Sequence, residues 1–293
     1  MNNYNDESKV LVIIVNWQRP QDTIECLDSV LKSDYDNLSV LVIDNGSQDG
    51  SVNKIKDVYP EITVLELPEN IGFTGGYNTG LDYARKSGAN YYFLLNNDTV
   101  IDKKTISYLV NSSWDISVPK ITYYGSPGQI WAAGARWRSF PPTIKMIGYR
   151  AEDQPKYNLP YALEYATGCA LLIKKDVISV VSGFDPIYKN YMEDYDFSYQ
   201  VREAGFQMGY VPKALVEHKE SQTLGINSPQ RWHLLGRNTA IFYRKGSRFP
   251  NALLWVVLGW IYIREFLQGN SKYLPIFWKG VREGRDVVKG SEL

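Results

Sequence analysis

The chain has 293 residues, of which 44% are hydrophobic and 22% charged, and its formal net charge is zero. This composition predicts a globular protein with one large or two small domains, and the zero net charge gives no support to nucleic acid as a partner. The two cysteines, Cys26 and Cys169, match no metal or redox spacing, which predicts a reduced, cytoplasmic compartment. Residues 1–8 are polar and acidic, unlike a signal or transit peptide.

Four apolar runs in the first hundred residues predict buried β-strands. They span residues 10–15, 40–43, 62–67 and 91–95. Between these runs, helical spacing of apolar residues, such as Leu27 with Val30 and Leu81 with Ala84, predicts amphipathic helices. The alternation of strands and helices predicts an α/β fold with a mostly parallel sheet and helices on both faces.

Polar or glycine-rich segments follow each of the four predicted strands. They are Asn16-Trp17, Asp44-Asn45, residues 72–76 and Asn96-Asn97-Asp98. Because the carboxyl ends of parallel strands meet at one edge of a sheet, we expect these segments to surround one crevice. An aspartate can accept a hydrogen bond from a base, and glycine backbone lets a sugar phosphate approach closely. Each segment alone could be an ordinary turn or loop, but four together favour a nucleotide site.

Asp98 stands at the end of the fourth strand, where a carboxylate suits a hard divalent cation that can bridge to phosphate. The alternative is that Asn96, Asn97 and Asp98 form a turn that caps a helix from about Lys103. The sequence has no G-x-G-x-x-G after its first strand and no G-x-x-x-x-G-K-[ST] anywhere. The absence of both motifs argues against a redox Rossmann domain and a P-loop NTPase.

The second half is less regular in pattern. Residues 117–165 are rich in glycine, proline and aromatic residues, with Trp131 near the centre. We expect a long irregular segment here, and long ordered loops tend to have a functional role. A surface excursion without chemistry is the alternative for residues 141–159. Residues 165–173 then predict a loop and another buried strand.

A cluster of acidic residues comprises Glu193, Asp194 and Asp196. Phe197 and Val201 lie four residues apart, which predicts a helix that begins near Asp194. Acidic residues in a first turn stabilise a helix through its dipole. Alternatively, one of these carboxylates faces the crevice as a general base, since crowded carboxylates raise one another's pKa.

Two histidines remain to be placed. His218 ends an apolar run, residues 211–216, that predicts a strand, and could be a simple edge residue there. His233 lies in a helical pattern beside Trp232 and is predicted to be structural.

Four segments closely resemble glycosyltransferase family 2, and within it the rhamnosyltransferase-like branch. They are VIIVNW (12–17), VIDNGSQDGS (42–51), ENIGFTGGYNTG (69–80) and LLNNDT (94–99). The resemblance implies a GT-A type, Rossmann-like fold, inverting transfer from a nucleoside diphosphate sugar, and Mn²⁺ or Mg²⁺ as cofactor. The family's metal motif is Asp-x-Asp, but the first acid is Asn96 here, which leaves Asp98 as a ligand and implies His218 as the second.

The resemblance also implies which residues bind the donor. These are Asn16, Trp17, Arg19, Asp44, Gly75, Gly76, Asn78, Asn96, Asn97 and Asp98. In the second half, Glu-Asp-x-Asp followed by Arg202 resembles the family's Glu-Asp motif. This match implies Asp194 as the base, next to Glu193, with Asp196 as second choice because one residue of helical rotation could exchange their roles.

We expect a glycosyltransferase domain over residues 1–245 and a helical extension over 246–293. Within the domain, residues 1–115 would bind the nucleotide sugar and 116–245 would hold the acceptor and the catalytic acids. Residues 252–263 are mostly apolar but span only about 18 Å as a helix, which is too short for a hydrocarbon core of about 30 Å. An interfacial helix on an anionic membrane, a helix packed on the domain and a homodimer contact all remain open.

The expected partners are a donor such as dTDP-rhamnose or a UDP-hexose and a glycan or lipid-linked acceptor of cell-surface polysaccharide synthesis. The expected place is the cytoplasm or, peripherally, the inner face of the cell membrane. A sugar-phosphate nucleotidyltransferase is one alternative, but residues 16–20 lack its glycine-rich loop. A non-catalytic protein of the same fold is the other, and the presence of Asp98, Asp194 and His218 argues against it.

Overall fold

The structure is a computed structural model that describes residues 8–219, 228–245 and 249–291. The interpretation of residues 1–7 as a non-targeting segment lies outside the described residues. Residues 220–227 and 246–248 also lie outside them.

Strands make up the centre of the fold. They are β1 (Val10–Asn16), β2 (Leu38–Asp44), β3 (Thr63–Glu66), β4 (Tyr91–Asn96), β5 (Thr99–Ile101), β6 (Ile116–Tyr123), β7 (Ser126–Ala132), β8 (Ala135–Trp137), β9 (Ile144–Met146), β10 (Tyr161–Leu163), β11 (Ala170–Lys174) and β12 (Met208–His218). In the described part of the chain, all except the β8–β9 hairpin join one sheet of order β10-β12-β6-β11-β4-β1-β2-β3, to which β5 and β7 add at β12 and β6.

The first four strands run parallel, and β12 pairs in parallel with β6. Strand β11 is antiparallel to both of its neighbours, β4 and β6. The predicted α/β fold with a mostly parallel central sheet is confirmed. As a result, the carboxyl ends of β1, β2 and β4 lie along the same edge, where open α/β sheets bind ligands.

Helices cover the sheet and extend beyond it. They are α1 (Pro20–Leu31), α2 (Ser51–Val58), α3 (Gly72–Ala84), α4 (Thr105–Val110), α5 (Lys175–Val181), α6 (Glu193–Glu203), α7 (Pro229–Arg244), α8 (Asn251–Leu267) and α9 (Leu274–Ser291). Alternate residues of β1 belong to different cores: Leu11 and Ile13 to one, Val12 and Ile14 to the other. The strand is therefore buried on both faces, as its unbroken apolar run predicts.

The glycine-rich segment 72–76 was expected to be a loop, and this expectation is wrong, because helix α3 begins at Gly72. Its glycines serve close packing between helix and strand. A Cβ atom at Gly76 would lie 2.8 Å from Cγ1 of Val15, and one at Gly80 would collide with Ile13. The absence of side chains thus lets α3 lie directly on β1.

The expectation that residues 117–165 are irregular is also wrong, since β6 is a buried strand in the middle of the sheet. Its apolar pattern is interrupted by Pro119 and Lys120, which hides the strand in the sequence. Lys120 is only 3% exposed, and its Nζ lies 2.8 Å from a carboxylate oxygen of Asp153 and 2.5 Å from Oδ1 of Asn158. A buried lysine is tolerated there because its charge is paired.

Helices α7, α8 and α9 pack together around a third core that also contains Tyr188 and Met192. A Cβ atom at Gly236 on α7 would collide with the carbonyl oxygen of Phe277 on α9, so these two helices approach closely. The expected boundary after residue 245 falls between α7 and α8, although α7 packs with both of the later helices. None of the helices in the described ranges combines the length and the apolar character that crossing a bilayer requires.

Candidate active site

A cavity of about 460 Å³ opens where β1, β4 and β12 end and α6 begins. Seven of the candidate residues line it, from four separate parts of the chain. They are Trp17, Asn96, Asn97, Asp98, Glu193, Asp194 and His218. The sheet edge thus gathers residues that are up to 201 positions apart in sequence, from Trp17 to His218.

Asn16 and Asp44 form a hydrogen-bonded pair on adjacent strands beside this cavity. The Asn16 amide donates to Oδ1 of Asp44 at 2.7 Å, and the Ser47 amide donates to Oδ2 of Asp44 at 2.9 Å. Both side chains are at most 2% exposed and neither is among the cavity-lining residues. Their geometry fixes the ends of β1 and β2, while a direct contact with the nucleotide stays a prediction.

Asn45 contributes to the cavity wall, although the candidate set from the sequence does not include it. Its side-chain oxygen accepts from the Ile71 amide at 3.0 Å, and its Nδ2 donates to the Gly72 carbonyl at 3.0 Å. Asn45 therefore ties the end of β2 to the beginning of α3. Its position next to Asp44 in the D-N-G-S motif was the available sequence signal.

Asn78, by contrast, lies away from the cavity, which corrects its assignment as a donor-binding residue. Its Nδ2 donates to the carbonyl of Phe184 at 2.7 Å, and its Oδ1 accepts from the amide of the same residue at 2.9 Å. Both ends of the side-chain amide are therefore engaged by one backbone unit. Asn78 links α3 to the loop that follows α5.

Three further donor-binding candidates are absent from the cavity lining, namely Arg19, Gly75 and Gly76. Arg19 pairs with Asp22 at 3.0 Å, within the first turn of α1. Gly76 is buried against β1, as described above, and Gly75 lies next to it within α3. The structure therefore gives these glycines a packing role instead of the expected open loop.

Asp98 and His218 face each other on the sheet side of the cavity. The Nε2 atom of His218 lies 3.3 Å from Oδ1 of Asp98, and both residues are at most 7% exposed. The edge of the Trp131 ring packs on the imidazole, with the centroids 4.7 Å apart. Strand β12 places His218 opposite Thr99 of β5, directly after Asp98.

A carboxylate oxygen and an imidazole nitrogen are suitable ligands for Mn²⁺. The Nδ1 atom of His218 is buried and has no hydrogen-bond partner among the described residues. Within these residues, no group of three or more His, Cys, Asp or Glu side chains could hold a metal. Asp98 and His218 therefore fit a cation that takes its other ligands from water and from a diphosphate.

Glu193 and Asp194 lie in the first turn of α6 and line the same cavity. The Asp194 carboxylate accepts hydrogen bonds from the hydroxyl of Tyr165, the amide of Tyr195 at 3.0 Å and the amide of Gly168 at 3.3 Å. In contrast, Oε2 of Glu193 is buried and has no hydrogen-bond partner in the described part of the chain.

Burial raises the pKa of Asp194, while the hydrogen bond from Tyr165 and those from the backbone amides oppose this effect. Burial and then the neighbouring charge of Asp194 raise the pKa of Glu193 well above its ordinary value. Because two adjacent buried carboxylates resist carrying two negative charges, the pair holds a proton more readily than a solvated acid does. Asp194, with three donors, is the better stabilised as an anion.

A strained turn sets the direction of these two carboxylates. Lys189, Tyr191 and Met192 all have positive φ angles, between 59° and 70°, directly before α6. Asn238 of α7 is fully buried, and its Nδ2 lies 2.7 to 2.9 Å from the carbonyls of residues 188, 190 and 191. Backbone strain of this kind persists only where surrounding groups hold it. No local pattern in the sequence indicates that Asn238 supports the site.

Asp196, the second choice for the base, points away from the cavity, so that assignment is wrong. It is completely buried and accepts hydrogen bonds from Tyr188 at 3.1 Å, Gln200 at 2.6 Å and Lys245 at 3.2 Å. Two residues along a helix correspond to a rotation of about 200°. Asp194 and Asp196 are therefore on opposite faces of α6.

The chain is similar in sequence to two bacterial proteins of known name. The chain is 26% identical over 263 residues to the N-acetylglucosaminyl-diphospho-decaprenol L-rhamnosyltransferase of Mycobacterium tuberculosis, covering 80% of this chain and 84% of the relative. It is 25% identical over 273 residues to the poly-beta-1,6-N-acetyl-D-glucosamine synthase of Staphylococcus aureus, covering 88% of this chain but only 64% of that relative.

Solved structures show the same fold at low sequence identity. GalNAc-T7 with UDP, GalNAc and Mn²⁺ has a TM-score of 0.61 at 17% identity, covering 80% of this chain and 48% of that protein, so the likeness spans about half its length. The mannosyltransferase PcManGT from Pyrobaculum calidifontis, in complex with GDP-Man and Mn²⁺, has a TM-score of 0.56 at 17% identity, covering 93% of this chain and 73% of that one. The GT-A fold is thereby confirmed.

The family comparison covers more than half of the chain. The family model described as "Glycosyl transferase family 2" matches residues 11–179, from the first strand of the sheet to helix α5. The match includes the β1, β2 and β4 strand ends that surround the cavity and stops before the acids of α6. Because of this match, together with the relatives above, the chain belongs to glycosyl transferase family 2 and is a glycosyltransferase.

Proposed function

We propose that the chain catalyses inverting, divalent-metal-dependent transfer of a sugar from a nucleoside diphosphate donor to a hydroxyl group of a glycan or a lipid-linked acceptor. One observation carries the proposal: the Asp98–His218 pair and the Glu193–Asp194 pair both line one cavity. The first pair offers ligand atoms for a cation, and the second pair can accept a proton. An inverting transfer requires both functions across the donor sugar.

Asp98 and His218 would hold Mn²⁺ or Mg²⁺, which supplies positive charge to the departing diphosphate. The indole of Trp17 lines the cavity and is available to stack on the base of the nucleotide. Asn96 and Asn97 line the same cavity, and the Asn97 side-chain amide donates to the hydroxyl of Thr23 at 3.0 Å. These side chains support binding of a nucleoside diphosphate sugar at the sheet edge.

Asp194 would take the proton of the acceptor hydroxyl. The hydroxyl oxygen forms a bond to the anomeric carbon as the bond from that carbon to the diphosphate oxygen breaks, so the configuration inverts in one displacement. The proton moves to the Asp194 carboxylate, and the electron pair leaves with the nucleoside diphosphate. The raised pKa of Asp194, caused by burial, makes its carboxylate a stronger base than a solvated aspartate.

The donor and acceptor classes follow from the relatives. The mycobacterial relative is named for rhamnosyl transfer to a sugar on diphospho-decaprenol, which supports dTDP-rhamnose as donor and a lipid-linked acceptor for this chain. The staphylococcal relative is named for synthesis of an N-acetylglucosamine polymer, which supports a UDP-hexose donor instead. Both names support a role in cell-surface polysaccharide synthesis.

A peripheral position on the inner face of the membrane fits the surface of α8. Its exposed apolar side chains follow the helix for its whole length. They are Trp255, Val256, Tyr262, Ile263, Phe266 and Leu267, with exposed fractions from 37% to 78%. An apolar helix face of this kind can lie in a lipid interface. Ile263→Ser should reduce sedimentation with phosphatidylglycerol vesicles, whereas a homodimer that forms through α8 without lipid would contradict this placement.

Thermal-shift measurements test the proposed reaction most directly. UDP and dTDP are each added with and without Mn²⁺, and we expect a rise in the melting temperature that requires both ligands, because a ligand that binds the folded state stabilises it. A shift with one nucleoside diphosphate only would identify the base. Release of pyrophosphate from a nucleoside triphosphate and a sugar phosphate would instead indicate a nucleotidyltransferase.

A further inference from the structure

Three residues that line the candidate active-site cavity carry a buried polar atom without a hydrogen-bond partner in the described ranges. The atoms are Nε1 of Trp131, Oε2 of Glu193 and Nδ1 of His218. Buried polar atoms are normally satisfied, so unpaired ones around a cavity indicate that a ligand completes their bonding. The proposed reaction gives His218 a role at the cation. It leaves Glu193, the acid among the three, without one.

Glu193 stands in surroundings that disfavour its charged form. The residue is 7% exposed. Burial and then the charge of Asp194 raise its pKa, and no positively charged group in the described part of the chain opposes this rise. A buried carboxylate without a paired cation is costly, whereas a neutral carboxyl group is not. Glu193 is therefore the member of the acidic pair that keeps a proton.

The partners of the two acids differ in the same way. Tyr165 and two backbone amides donate to the Asp194 carboxylate and stabilise it as an anion. Successive residues of a helix are rotated by about 100°, so the Glu193 side chain leaves α6 in another direction and Oε2 meets none of these donors. An acid that only stabilised the fold would have a partner within the protein. Glu193 is instead available to a ligand in the cavity.

The chemistry of a neutral carboxyl group limits what this ligand can be. It has one O–H donor and an acceptor oxygen, which matches a hydroxyl group, because a hydroxyl also donates and accepts. In a nucleoside diphosphate sugar, the diphosphate has only acceptor oxygens with negative charge, and Asp98 and His218 are the residues proposed to bind it through the cation. The sugar hydroxyls are the groups that fit Glu193.

We infer that Glu193 forms a hydrogen bond with a hydroxyl of the sugar that is transferred, and so recognises the sugar part of the donor. The inference rests on the proposed function. In a single displacement, the leaving diphosphate and the attacking hydroxyl lie on opposite sides of the anomeric carbon. The transferred sugar must then lie between the cation at Asp98 and the base Asp194, next to Glu193.

Calorimetric titration of the full chain in the presence of Mn²⁺ tests the inference. The ligands are used in two pairs, dTDP with dTDP-rhamnose and UDP with UDP-glucose. Within a pair, the ratio of the two dissociation constants measures the effect of the sugar alone. Glu193→Ala should weaken binding of the sugar nucleotide about fivefold, the effect of losing one hydrogen bond. Binding of the free nucleoside diphosphate should not change.

Glu193→Gln tests the form in which the side chain acts. An amide, like a neutral carboxyl group, has both a donor and an acceptor, so this variant should bind the sugar nucleotide within about twofold of the unmodified chain. The melting temperature of ligand-free Glu193→Ala should be no lower than that of the unmodified chain, because no partner within the protein is lost. Glu203→Ala is the matched control, since Glu203 is an exposed glutamate at the other end of α6 and does not line the cavity. It should bind all four ligands normally.

Three results would overturn the inference. The first is a Glu193→Ala variant in which the ratio of dissociation constants is unchanged. The second is an equal loss of affinity for the sugar nucleotide and the free nucleoside diphosphate. The third is a Glu193→Gln variant that loses as much affinity as Glu193→Ala, because this would require an ionised carboxylate.

Failure of the inference can be distinguished from failure of the proposed function. If neither UDP nor dTDP binds with Mn²⁺, the proposed function fails, and the inference fails with it. If one of them binds but Glu193→Ala leaves the ratio within its pair unchanged, the inference fails and the proposed function stands.

Discussion

The strand residues and the helix residues that line the candidate active-site cavity include similar side chains but differ in their surroundings. On the sheet side, the Asp98 carboxylate lies 3.3 Å from the imidazole of His218, and both side chains are fixed by strands. On the helix side, Glu193 and Asp194 are adjacent, and no ion pair with a lysine or arginine is found for either within the described ranges. Burial is similar on the two sides, with Asp98 and Glu193 both 7% exposed.

In the proposed reaction, this difference would separate metal binding on the sheet side from proton transfer on the helix side. A carboxylate oxygen and an imidazole nitrogen are two different donor atoms that one cation can share. Two adjacent buried carboxylates instead favour uptake of a proton, because burial and mutual repulsion raise their pKa values. In the proposed reaction, the local environment of each acid, and not its type, would therefore determine its role. The predictions below test whether the sides act independently.

The largest effect is expected from Asp194→Asn. An amide cannot take the acceptor proton, so kcat for transfer should fall by about 10²- to 10⁴-fold, the range that general base catalysis supplies. Manganese-dependent binding of the nucleoside diphosphate should remain, because Asp98 and His218 are unchanged. The measurements are transfer kinetics and nucleotide titration on the same preparation. Loss of nucleotide binding in this variant would show that the two sides are not independent.

The next largest effect is expected from His218→Ala, which acts on the sheet side. Removing one of two protein ligands should weaken Mn²⁺-dependent nucleotide binding by at least about tenfold. The concentration of Mn²⁺ needed for half-maximal nucleotide binding, measured by calorimetry, gives the result. If that concentration is the same as in the unmodified protein, His218 is not a metal ligand.

A third test changes the helix side without removing a carboxylate. The hydroxyl of Tyr165 donates to Asp194 and lowers its pKa against the larger effect of burial. In Tyr165→Phe the pKa of Asp194 should therefore rise further. Since the base must be ionised, activity is lost as pH falls through this pKa, and the acid limb of the kcat profile should move to higher pH. A shift to lower pH would contradict the assignment of Asp194 as the base.

The sequence predicts the first half of the fold well, because each strand there is a continuous apolar run in a parallel sheet. It fails at β6, where Pro119 and the buried Lys120 interrupt the run. The pairing of Lys120 with Asp153 is a long-range contact, 33 residues away, that no local pattern reveals. The same limitation applies to residues 72–76. Their glycines are typical of a loop, and the local sequence does not show that they allow α3 to pack closely on Val15 of β1.

The candidate site could be predicted where the residues stand at strand ends. Trp17, Asp98 and His218 all follow apolar runs, so the sheet topology alone brings them to one edge. Helical phase is harder to read, because an error of one or two residues in the start of α6 exchanges Asp194 and Asp196. Contacts that support the site from distant parts of the chain cannot be predicted from local sequence patterns. Asn238, for example, donates hydrogen bonds to the turn before α6 across 47 to 50 residues of sequence.

The smallest catalytic effect is expected from Asp196→Asn, which tests the other face of α6. Asp196 is fully buried and binds Lys245, so losing its charge should lower the free energy of unfolding by about 1–3 kcal/mol, while kcat of the folded enzyme stays close to normal. Asp185→Asn is a matched control, since Asp185 also pairs with Lys245 but is partly exposed, and it should cost less than about 1 kcal/mol. Urea denaturation measures both changes. A fall in kcat for Asp196→Asn as large as that for Asp194→Asn would mean that both faces of α6 serve the reaction, and the division of roles within the cavity would have to be abandoned.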